Sequence, residues 1–406
     1  MVAVPSWHRN QAALMVASFV GFTGFTLVMP FLALHFQALG TTHVGEVAVW
    51  TGITLGVTPL VAALCGPLWG RIGDRFGNKV LIQRSLSSFV LVMVLMAIAS
   101  EAWHLFALRA VQGLVAGYGA LAIAMAARSA PREKMATAIR WVQTSQRLAP
   151  AFGPVIGGLL SPVVGLRNTF FVAAAAYALA FVLFTALYRD PRDDRAGASS
   201  SIPVAFSSIL AFENFLLLML VIFGLQMVDR SLAPVLLLHL TELGYEPTTA
   251  TRLVGVLFSM LALSGAAGNQ LASAALRRAS AQVVITAACV GGGLALAFFA
   301  ASATTWVLIA TLSVVGIAVG IATTAAFTAA GAVIPPAAHG ASFGFLTGAS
   351  LVGSATGSAV SGLVAAQNMR VVFVAGVVVL MGLAMVVRRV MADSGPLEPT
   401  APVDEY

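Results

Sequence analysis

Four ionisable side chains fall well inside apolar stretches of this 406-residue sequence: Arg109, Arg147, Asp229 and Arg230. Charge in an apolar stretch is costly, and it marks a cavity, a buried partner or a pathway for protons and solutes. Asp229 is the carboxylate of the set. Its proton affinity would respond to burial and to neighbouring charge, which makes it the first candidate for proton coupling. The adjacent Arg230 opposes that role by favouring the ionised form, so the alternative is a structural ion pair with Arg230 or Arg109. Arg147 has Gln143 one turn before it and Gln146 beside it. Such a cluster suits substrate binding, or hydrogen bonds between helices. Three cations against one acid favour a neutral, zwitterionic or anionic solute over a lipophilic cation. Phe25, with Phe19 and Phe22, offers apolar lining to a cavity. His35 and His239 titrate near neutral pH, and serve either protons or packing.

The elements that position these groups follow from composition. Hydrophobic residues make up 59% of the chain and charged residues 9%, against soluble norms of about 45–50% and about 25%. The mean hydropathy is +0.94. So few charges cannot cover so much apolar surface in water. A soluble enzyme, a nucleic-acid binder and a disordered scaffold are therefore excluded, and the continuous apolar runs exclude a β-barrel. Cys65 and Cys289 both lie in apolar runs, which leaves neither a disulfide framework nor a zinc site. No HExxH, serine elbow or pair of catalytic carboxylates is present, so no metal, cofactor or enzymatic activity is expected.

A spanning helix needs about 20 apolar residues. Twelve runs qualify, beginning with 12–38, which reads as an uncleaved first span. The long polar connection after the sixth run divides the chain. This predicts a six-helix half over 1–188, a cytoplasmic linker over 189–205, a second half over 206–391 and a disordered tail over 392–406. Sixteen Lys/Arg residues fall on one side of the predicted spans, three on the other and three within them. By the positive-inside rule both termini are cytoplasmic, in a multi-pass protein of the plasma (inner) membrane.

The chain also repeats itself. Residues 30–40 read PFLALHFQALG and residues 234–244 read PVLLLHLTELG, 204 positions apart. GPVIGGLL at 153–160 and GSAVSGLV at 357–364 share that offset, and Gly113 and Gly117 pair with Gly316 and Gly320 at 203. Spans 1, 4 and 5 thus match spans 7, 10 and 11. The fold class expected is an all-α polytopic membrane protein with twelve transmembrane helices in two pseudo-symmetric halves. Such halves rock about a central site.

Three motifs sharpen this reading. Gly70-Arg-Ile-Gly-Asp74-Arg75-Phe-Gly77-Asn-Lys79 joins spans 2 and 3 and predicts a tight turn in which Asp74 caps a helix. In span 5, Ala149, Gly153 and Gly157 recur every four residues and predict close helix contact, with kinks at Pro150 and Pro154. Span 4 carries Arg109, Gln112, Gly113 and Gly117. Arg109 lies about 9 Å inside the end of its helix, within reach of a snorkelling conformation. The decapeptide resembles the signature loop of the major facilitator superfamily. The resemblance implies a conformational latch formed by Gly70, Asp74, Arg75, Gly77 and Lys79, with Arg128 as a partner. Gly153, Pro154, Gly157 and Gly158 resemble the antiporter motif of the twelve-span drug:proton antiporters in that superfamily. The span-4 set resembles a motif of the same group that ties Arg109 to proton coupling. The implied function is proton-coupled efflux of small amphiphilic molecules by alternating access, without enzymatic chemistry. The implied partners are a small-molecule substrate, protons and the lipid bilayer, with no nucleic acid, and the implied state is a monomer. The alternative is an uptake symporter or uniporter for a polar or anionic metabolite, which the Arg147 cluster favours and the span-5 motif opposes.

Overall fold

The structure, a computed structural model, describes residues 6–76, 78–131, 134–189, 214–335 and 339–391. Most of the expected linker and all of the expected tail lie outside the described residues. Among those described there are fifteen α-helices and no strand. The first half contains α1 (Ser6–Leu27), α2 (Leu32–Ala38), α3 (Val44–Phe76), α4 (Asn78–Ile98), α5 (Ala102–Leu114), α6 (Tyr118–Ser129), α7 (Met135–Val164) and α8 (Leu166–Leu187). The second contains α9 (Phe215–Ser231), α10 (Leu236–Glu242), α11 (Pro247–Leu276), α12 (Ala281–Ala301), α13 (Thr305–Val333), α14 (His339–Ala365) and α15 (Met369–Val390). Ten of these helices are long and apolar enough to cross a membrane, and α9 with α10 makes an eleventh crossing bent by 43°. The stretch expected as span 4 is shared by α5 and α6, each shorter than a full crossing. The whole is consistent with twelve spans.

The repeat read from sequence reappears in the helix boundaries. α1 ends at Leu27 and α9 at Ser231, while α2 covers Leu32–Ala38 and α10 covers Leu236–Glu242, all 204 residues apart. α4 and α12 correspond end for end at 203, as do α8 and α15. Spans 1 and 7 therefore break at the same place, around Pro30 and Pro234, where the missing amide of proline cannot continue a helical ladder.

Span 4 departs from its counterpart. Its second-half equivalent, α13, runs unbroken for 29 residues. In the first half the helix stops at Leu114 and restarts at Tyr118 through Gly117, whose φ of 108° suits glycine. A break inside a membrane frees carbonyls that must find donors within the protein. Here Trp69 Nε1 donates to the Leu114 carbonyl at 2.6 Å. Arg84 and Ser85 both donate to the Val115 carbonyl, at 2.9 Å and 2.8 Å.

The loop expected between spans 2 and 3 is shorter than predicted. α3 stays helical from Gly70 to Phe76 and α4 begins at Asn78. The helix therefore continues about ten residues past Gly66, the end of the apolar stretch long enough to cross a membrane. Gly77 and the side chains of Asp74 and Arg75 lie outside what is described.

The described residues form two compact units. One comprises the described part of Met1–Ser199 with Arg230–Ala262 and Ser354–Met369; the other comprises the described parts of Ser200–Asp229, Leu263–Gly353 and Arg370–Tyr406. Within the first, α1 packs on α7 and α8, α3 on α5, and α4 on α8.

Candidate functional site

Small residues bring α7 within backbone contact of α1. A Cβ at Gly153 would sit 2.5 Å from the Thr23 carbonyl, and one at Gly157 would overlap the Leu27 carbonyl. Thr23 Oγ1 donates to the Ala149 carbonyl at 3.2 Å. The helix runs through Pro150, Pro154 and Pro162 without interruption.

Another face of α7 meets α11, inside the same unit. A Cβ at Gly158 would lie 3.2 Å from the Gly255 Cα, and one at Gly255 would lie 2.5 Å from the Pro154 carbonyl. The same arrangement joins α3 to α14: a Cβ at Gly52 would lie 2.8 Å from the Gly362 Cα. Gly52 and Gly255 are 203 residues apart, Gly158 and Gly362 204. The two crossings are thus one contact, repeated by the internal symmetry.

This geometry orients Arg147. At about 100° per residue, Gln143, Arg147, Pro154 and Gly158 fall within an arc of about 60° on α7. The exposed apolar side chains Trp141, Leu148, Phe152, Leu159 and Val163 lie about 130° around the helix from Arg147. They form the lipid-facing stripe. Arg147 is exposed, but on the face that packs against α11 further along, not on the lipid face. Gln143 is half-buried on the same face. Gln146 is turned away: its Nε2 donates to the Gly119 carbonyl at 2.9 Å and lies 3.4 Å from Ser18 Oγ, binding α7 to α6 and α1.

Arg109 does not snorkel. It is 1% exposed, deep in the first half. Its Nη1 donates to Gln112 Oε1 at 2.8 Å, and the guanidinium lies 5.4 Å from the Phe25 ring centre. Its Nε and Nη2, and the Gln112 Nε2, have no hydrogen-bond partner. Thr58 Oγ1 donates to the Arg109 carbonyl at 2.9 Å, fixing α5 on α3.

Around this group lies an aromatic cluster that composition alone does not single out. Phe89 packs edge-on against Tyr118 at 5.9 Å and Tyr177 at 5.3 Å, and Phe22 sits 5.6 Å from Tyr118. Tyr177 Oη donates to the Gly21 carbonyl at 2.9 Å. Gly21 and Gly24 of α1 leave the space that the Tyr118 and Tyr177 rings fill. A tyrosine placed four or more residues from any polar neighbour gives no sequence signal of such a role.

Asp229 belongs to the second unit. It is half-buried in the last turn of α9. The exposed Leu216 and Leu220 lie roughly 140–180° away around the helix, so the carboxylate points off the lipid face. Arg230 follows it, and Ser358 Oγ donates to the Arg230 carbonyl at 3.3 Å.

Of the latch residues, Lys79 donates from Nζ to the Tyr188 carbonyl at 3.0 Å, at the C-terminal end of α8. Arg128 is exposed in the last turn of α6. His35 and His239 are buried, in α2 and α10 respectively. Among the described residues no group of His, Cys, Asp and Glu is arranged to hold a metal ion.

The family model of the Major Facilitator Superfamily matches residues 14–305 and again 218–405. The chain belongs to this superfamily. Superfamily relatives include the multidrug resistance protein MdtG of Rahnella sp. (strain Y9602), 30% identical over 260 residues, or 63% of this chain and 62% of the relative. MdtG of Proteus mirabilis (strain HI4320) is 30% identical over 258 residues, or 63% of this chain and 64% of the relative. This chain therefore spans less than two thirds of the length of each. The crystal structure of the nucleoside transporter NupG superposes with a TM-score of 0.75, covering 94% of this chain and 100% of that one at 15% identity. It shares the superfamily fold.

Proposed function

We propose that this protein exports small amphiphilic molecules across the plasma membrane by alternating access, driven by protons moving inward. The observation that carries the reading is the distribution of contacts along one face of α7. Pro154 and Gly158 are closed against α11, while Arg147, two to three turns away on the same face, is exposed. A face shut at one end and accessible at the other suits one half of an alternating-access cycle. With both termini cytoplasmic, the shut end is the outer one. The name shared by the MdtG relatives, multidrug resistance protein, supports efflux.

In this reading Arg147 and Gln143 contact the substrate, Phe25 lines its path and Asp229 carries the proton. Arg230, next to it in the chain, biases the charge state of Asp229, and Arg109 takes part in proton coupling from within the first unit. The latch around Asp74 closes the cytoplasmic side. The excess of cations over acids points to neutral, zwitterionic or anionic substrates. A second reading, uptake or uniport of a polar or anionic metabolite, is favoured by the exposed Arg147 with Gln143 on the same face of α7.

Purified protein in liposomes holding a pH-sensitive dye decides between the two. Compounds of each charge class are added under an imposed pH gradient to wild type, Asp229→Asn and Arg147→Ala. Antiport predicts compound-dependent proton movement that Asp229→Asn abolishes. Substrate flux without proton movement would overturn the coupling and leave a uniporter.

A further inference from the structure

A cavity of about 300 Å³ lies between the end of α2 and the start of α8, lined by His35, Leu39, Gly165, Arg167 and Asn168 among others. None of the groups assigned to transport lines it. His35 is 1% exposed, and neither of its ring nitrogens has a hydrogen-bond partner. A buried imidazole left unbonded is costly, and native proteins seldom leave one so. The opposite wall is the N-terminus of α8. Its first-turn amides have no side-chain cap, and no acidic residue stands in that turn. The charged side chain there is Arg167, a cation at the end of a helix where the dipole already disfavours one.

These features share one character: each can donate a hydrogen bond. An unbonded buried imidazole, uncapped amides and an exposed guanidinium converge on one cavity, and no acidic side chain lines it. We propose that the cavity binds a phosphate group. Arg167 offers paired donors suited to a phosphate oxyanion. The α8 amides supply backbone donors, as helix N-termini do for anions, and His35 supplies a third donor from the opposite wall. The cavity lies between the end of α2 and the start of α8, which are the ends of predicted spans 1 and 6, and span ends are where a bilayer presents its headgroups. The same residue types recur in the second half: His239 and Arg370 stand 204 and 203 residues after His35 and Arg167, and Arg370 is in the first turn of α15. The ligand is either the phosphate of an anionic lipid headgroup or a free phosphate.

Thermal unfolding of the full chain in neutral detergent tests this with three probes. These are dioctanoyl phosphatidylglycerol, dioctanoylglycerol (which lacks the phosphate) and inorganic phosphate against chloride at equal ionic strength. The phosphatidylglycerol is expected to raise the wild-type midpoint by about 3–5 °C at saturation, with no comparable rise from dioctanoylglycerol. A matching rise with inorganic phosphate assigns a free-phosphate site; a rise with the lipid alone assigns a headgroup site. Arg167→Gln, at an exposed position, is expected to fold normally and lose most of the shift. His35→Leu is expected to lose it as well. The proposal is overturned if neither phosphate-bearing probe stabilises the wild type, or if the shift survives undiminished in Arg167→Gln.

Discussion

The Arg84 guanidinium lies 3.4 Å from the ring centre of Trp69, and both side chains donate to carbonyls at the break in span 4. A cation–π contact thus holds two of the three donors, Ser85 being the third, that make a broken helix tolerable in a membrane. Trp69→Phe keeps the ring and removes the donor to Leu114. It should destabilise the protein by about 0.5–1.5 kcal/mol, the net contribution of one hydrogen bond, since this one lies at an exposed position. Arg84→Met should cost a similar amount, and the double variant less than the sum, because the two share one contact. Thermal unfolding in detergent measures both.

Arg109 separates stability from function. Its guanidinium is buried with two nitrogens unpartnered, so replacing it together with its bonded neighbour removes an incompletely satisfied polar pair. Arg109→Met with Gln112→Leu should leave the unfolding midpoint unchanged or higher, since apolar replacement of a buried charge is often neutral or stabilising. Transport should fall by tenfold or more. Unfolding and flux on the same preparation check this; a large loss of stability would make Arg109 a structural residue.

Arg147 should behave oppositely to a packing residue. It is exposed, so Arg147→Ala should change stability by no more than about 0.5 kcal/mol. Its effect should appear as a raised KM for substrate, with kcat less affected. Gln146→Ala, by contrast, removes the bond to Gly119 and should cost about 0.6–2 kcal/mol, with KM little changed.

The two glycine crossings should respond in parallel. Gly158→Val and Gly52→Val each push a side chain into a facing backbone, so each should favour the conformation in which those helices separate. Accessibility of single cysteines placed along α7, measured by maleimide labelling in a chain lacking Cys65 and Cys289, should rise near residue 158 in both variants. A rise in only one would mean that the crossings open independently.

How far the sequence carried this depended on the kind of signal. Repetition was legible: the offset of 204 read from Pro30 and Pro234 is also the offset of the helix ends around them. Helix spacing was legible too, because Gly153 and Gly157 need only a period of four to be placed on one face. Tertiary partners were not. That Gly158 meets Gly255, or that Trp69 and Arg84 rather than a local cap satisfy the span-4 break, depends on which helices become neighbours. The stretch before Asn78 stays helical because glycine permits a turn without requiring one, and α3 carries its hydrogen-bond ladder to Phe76. Gln146 was grouped with Arg147 by proximity in sequence, whereas a one-residue step on a helix turns a side chain through about 100°.

Neighbouring residues of α7 face different surroundings. Its three faces touch lipid, α1 and α11, so consecutive positions belong to different physical problems. Effects plotted along the helix should not form a smooth profile centred on a site. They should split into three interleaved series: tolerance of any apolar side chain, intolerance of volume, and sensitivity of transport without loss of fold. A neutral substitution at one residue therefore carries no information about its neighbour, and a good deal about the residue seven positions on.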